Sequence, residues 1–64
     1  MKKTAILCVD DEKLVLDSLR IQLSRHFATQ HLLEFAQGAE EGLEVIADLA
    51  ELGVVTVLII SDWM

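Results

Sequence analysis

The sequence contains no proline and a single cysteine, Cys8. A disulfide within the chain is therefore excluded. Cys8 lies in the middle of an apolar run, where it reads as a buried, inert thiol. Without proline or any low-complexity stretch there is no linker to mark a boundary, so residues 1–64 read as one unit. Basic residues are scarce: five Lys and Arg stand against eleven Asp and Glu, for a net charge of −6. That balance argues against nucleic acid or an anionic membrane as a direct partner, and an acidic cluster instead invites a cation. Long apolar runs are lacking too. Ala5 to Val9 is far too short for an export signal and ends in acids, and Val54 to Ile60 is too short to span a membrane. The cytoplasm is the expected location.

Hydrophobic residues are plentiful, at 53% of the chain. A small domain has much surface to cover with polar groups. The excess suggests apolar surface that something outside these residues should cover.

The most informative stretch is Ile6-Leu7-Cys8-Val9-Asp10-Asp11-Glu12, an apolar run that stops at three acids. A short continuous apolar run closed by polar residues fits a strand buried on both faces of a parallel sheet. In open α/β sheets ligands bind beyond the carboxyl ends of such strands. Asp10 and Asp11 are thus expected at the mouth of a site, and either can also cap the helix that follows.

The rest of the chain alternates. The first strand is expected over about Thr4 to Val9 and a helix over about Glu12 to Phe27. In that helix Val15, Leu16, Leu19, Leu23 and Phe27 form one apolar stripe. Leu14 and Ile21 fall on a different side, as exposed aliphatics or as a docking face for another helix. His26 and His31 each stand alone, without a ligand partner at metal spacing. His31 to Ala36 reads as a second strand, mixed enough for a sheet edge. A second helix runs from about Ala39 to Leu52, with Ala39, Leu43, Ile46, Ala47 and Ala50 as its expected inner face and Gly53 as its stop. Val54 to Ile60, almost wholly apolar and β-branched, reads as a third strand covered on both faces. This is an α/β chain of βαβαβ order. A buried first strand and a polar second strand favour reversed winding, with the sheet in the order 2-1-3.

In that order the first and third strands are adjacent and parallel, and Asp10, Asp11 and Asp62 leave the same sheet edge. Converging carboxylates repel one another unless a cation is present. Hard oxygen donors of this kind suit Mg²⁺.

On these residues the chain resembles the N-terminal half of a response regulator receiver domain from two-component signalling. The matching segments are Val9-Asp10-Asp11-Glu12 after the first strand and Leu58-Ile59-Ile60-Ser61-Asp62-Trp63-Met64 at the third. The resemblance implies a flavodoxin-like doubly wound parallel sheet, here truncated to its first three strands and two helices. It implies that Asp62 is the phosphoacceptor, taking a phosphoryl group from a sensor histidine kinase or a phosphotransfer protein. Asp10 and Asp11 match the acidic pair that holds Mg²⁺, and the backbone carbonyl of Met64 matches a further protein ligand. Trp63 matches a variable position beside the nucleophile. The protein would be a phosphoacceptor rather than an enzyme.

The departures from the family are specific. A Ser or Thr after a fourth strand and a Lys after a fifth have no counterpart in the chain, so efficient phosphotransfer and switching are expected to be lost while the metal pocket is kept. A bare third strand should make the chain a homo-oligomer through Val54–Ile60. Other readings fare worse or compete. A nucleotide hydrolase would need a Gly-Lys-Ser or Gly-Lys-Thr phosphate loop, which is absent. A phosphatase with an aspartate nucleophile would want Asp-x-Asp after the first strand. A non-catalytic assembly module, its acids mere caps and solvated edge, is the principal alternative.

Overall fold

The computed structural model describes residues 3–61. The chain runs β1 (Thr4–Val9), α1 (Lys13–Phe27), β2 (Leu32–Ala36), α2 (Ala39–Glu51) and β3 (Val55–Ser61). The strands form one parallel sheet in the order β2-β1-β3. The expected βαβαβ arrangement and strand order are both present.

The two helices lie on opposite faces of this sheet, as three side-chain positions establish. A Cβ added to Gly42 of α2 would stand 3.3 Å from Val9 Cγ2 and 3.6 Å from Leu7 Cδ2. Leu7 and Val9 therefore point at α2. Successive strand residues point to opposite faces, so Ile6 and Cys8 point away from it. Phe35 is the register partner of Cys8, and the guanidinium of Arg20 in α1 lies 4.3 Å from the Phe35 ring centroid. That cation–π contact puts α1 on the Ile6 and Cys8 face. With a helix on each side, Ala5, Ile6, Leu7 and Cys8 are all buried. This is why β1 reads as an unbroken apolar run rather than an alternating one.

On the α2 side Ala5, Leu49 and Val54 form a core, with Leu32 and Val45 packed against it. The end of α2 locks this core in place. Val54 N–H donates to Leu49 O at 2.9 Å and Gly53 N–H to Ala50 O at 3.0 Å. Those two bonds are the Schellman pattern, and it requires a left-handed residue at Gly53, whose φ is +79°. The accompanying apolar contact between the residue after the glycine and the last turn is the Val54–Leu49 pair.

Four expectations need correction. The first helix starts at Lys13 with Glu12 at its N-cap and no side-chain cap, so neither Asp10 nor Asp11 caps it. The second strand starts at Leu32, because His31 is held from the side: its Nδ1 and Thr4 Oγ1 are 2.6 Å apart.

The inner face of α2 is Gly42, Val45, Ile46 and Leu49, whereas Leu43 is 67% exposed and Ala39, Ala47 and Ala50 are exposed as well. The close approach at Gly42 sets the rotation of the helix, and a residue without a side chain is invisible to apolar periodicity.

The third strand is not covered on both faces. Val55, Val57, Leu58 and Ile59 are each at least half exposed. The reason is topological: β3 has a neighbour on one side only, and α1 packs on β1 and β2 without reaching it. Register also shifts between Ala5 and Ile6, so that Thr56 pairs with Ala5 but Leu58 with Ile6, leaving Val57 as an inserted residue.

Candidate functional site at the carboxyl end of the sheet

Asp10 follows directly on β1. Its N–H donates to Ala36 O at 3.0 Å, which extends the β1–β2 ladder by one step past the strand. The backbone is thereby fixed where the acidic segment begins. Asp10 is 8% exposed and is the one buried charged residue among the described residues. Its Oδ1 accepts a hydrogen bond from Glu12 N–H at 2.8 Å. A carboxylate bonding the backbone two residues on is an Asx turn. The turn closes the acidic segment over the end of β1 and starts α1 at Lys13. Burial of a carboxylate costs free energy unless it is hydrogen-bonded or paired with a cation. One oxygen of Asp10 has its backbone donor.

Asp11 is exposed, as is Glu12. The two adjacent aspartates thus differ: Asp10 is anchored and Asp11 faces solvent. Asp62 and Met64, the other expected ligands, and Trp63 lie outside the described residues. What is described is the approach to them. Val9 pairs with Ser61 across β1 and β3, so the residues immediately before Asp10 and Asp62 are side by side. Among the described residues no three His, Cys, Asp or Glu side chains gather closely enough to hold an ion.

In donor chemistry the described acids fit a hard divalent cation. They offer oxygen only, with one carboxylate oriented by a backbone N–H. Cys8 lies one turn of the pleat back from Asp10 and is no ligand for such an ion. It is 1% exposed, and burial pushes its thiol above the ordinary value of 9.0.

Two contacts, one beside the acidic segment and one far from it, have no simple signature in the sequence. Gly42 brings α2 against Val9, the last residue before the acids. The signal available was a glycine inside an otherwise helical segment, which usually has a packing reason. The Thr4–His31 pair ties β1 to the start of β2 at the opposite end of the sheet. No local pattern announces a contact between residues so far apart. Among the described residues no helix is long and apolar enough to cross a membrane. No family model, curated protein or solved structure matches the chain.

Proposed function

We propose that these residues are part of a receiver domain of a two-component response regulator, with the flavodoxin-like winding of that family, acting in the cytoplasm without direct contact to nucleic acid or membrane. The observation that carries this reading is the Val9–Ser61 register pair. Two parallel neighbours that finish level with each other are followed in sequence by Asp10-Asp11 and by Asp62. The buried, turn-forming Asp10 beside an exposed Asp11 supports it further.

In this reading Asp62 is the phosphoacceptor. One of its carboxylate oxygens bonds to the phosphorus of a phosphohistidine on a sensor kinase or phosphotransfer protein. The P–N bond breaks, and the histidine leaves with its electron pair. Asp10, Asp11, Asp62 and the Met64 carbonyl hold Mg²⁺, which supplies charge neutralisation at the phosphoryl oxygens. Asp10 anchors the acidic turn, and Asp11, free of that duty, is the more accessible ligand. No residue of this sequence matches the family's later Ser or Thr and Lys, so in this reading those two roles are not filled by residues 1–64.

A second reading, a non-catalytic assembly module, has one observation in its favour: the exposed apolar β3. Titration with Mg²⁺, followed through the fluorescence of Trp63, separates the two. The receiver reading expects a saturable change that Asp11→Asn abolishes. A flat titration, or one indifferent to Asp11→Asn, would overturn it.

A further inference from the structure

We draw no further inference here: the strongest candidate, the apolar groove between the end of α2 and β3 lined by Ile46, Ala50, Gly53, Val54, Val55 and Thr56, is an unpartnered face, and nothing in the structure shows what covers it.

Discussion

Val9 and Ser61 are register partners across the β1–β3 pair, each the last residue of its strand. The two strands therefore end level with each other at the carboxyl edge of the sheet. The Asp10 turn exploits this position: a ladder bond to Ala36 fixes the backbone, and a side-chain bond to Glu12 N–H folds the chain over the edge.

The turn can be separated from the charge. Asp10→Asn keeps an oxygen acceptor for Glu12 N–H, whereas Asp10→Ala removes it. Loss of a buried acceptor of this kind costs about 1–3 kcal/mol. In urea melts Asp10→Ala should lose about that much, and Asp10→Asn clearly less. Equal losses would show that the turn bond contributes nothing.

Gly42 reports on how closely α2 sits against β1. A single added Cβ would meet Val9 Cγ2 at 3.3 Å, which is tight but borne by one side-chain methyl. Against that stands the gain of about 0.5–1 kcal/mol from replacing a mid-helix glycine by alanine. Gly42→Ala should therefore leave stability nearly unchanged. Gly42→Val has further methyls to place and should destabilise by about 1–3 kcal/mol, as overpacking does. Equal stability of the two variants in denaturant melts would contradict the close approach.

The rotation of α2 predicts a contrast between two leucines. Leu49 is buried against Ala5 and Val54, and Leu43 is largely exposed. Leu49→Ala should cost about 2–5 kcal/mol. Leu43→Ser should stay within about 0.5 kcal/mol of wild type, the range of ordinary surface changes. The reverse order, measured by thermal or urea unfolding, would restore Leu43 to the inner face.

Cys8 gives a pH dependence with a fixed sign. Desolvation raises its pKa in the folded chain above the unfolded value near 9.0. The folded thiol then holds its proton where the unfolded one has lost it. Its contribution to stability is whole below the unfolded value and is lost as pH rises from there through the folded value. Comparing melting temperatures of wild type and Cys8→Ala on either side of pH 9 should show the wild type falling more steeply on the alkaline side. Parallel curves would mean the thiol is not desolvated.

Much of the fold was legible because β1 and the helix boundaries speak through local chemistry. Four acidless residues in a row, Ile6 to Val9, demand cover on both faces, and Gly53 announces the end of α2. The α2 face was misread because its closest contact is made by Gly42, which periodicity cannot weigh. The openness of β3 was partly hidden for a different reason. Its composition fits a covered strand, but cover depends on which elements reach it, and α1 does not. At the site, Asp10 was legible as the residue ending the apolar run. Its turn to Glu12 was mistaken for a helix cap, since both use a short carboxylate to accept a backbone N–H.

The proposed receiver chemistry requires the acidic segment after β1 and Asp62 after β3 to share a single cation. Mn²⁺, which takes the same oxygen ligands as Mg²⁺, broadens amide resonances near it. Added in trace amounts to the isotope-labelled chain, it should broaden residues 10–12 and 61–63 together, with both effects reversed by excess Mg²⁺ and absent in Asp11→Asn. Broadening confined to one of the two segments, or centred on the glutamates of α2, would contradict it.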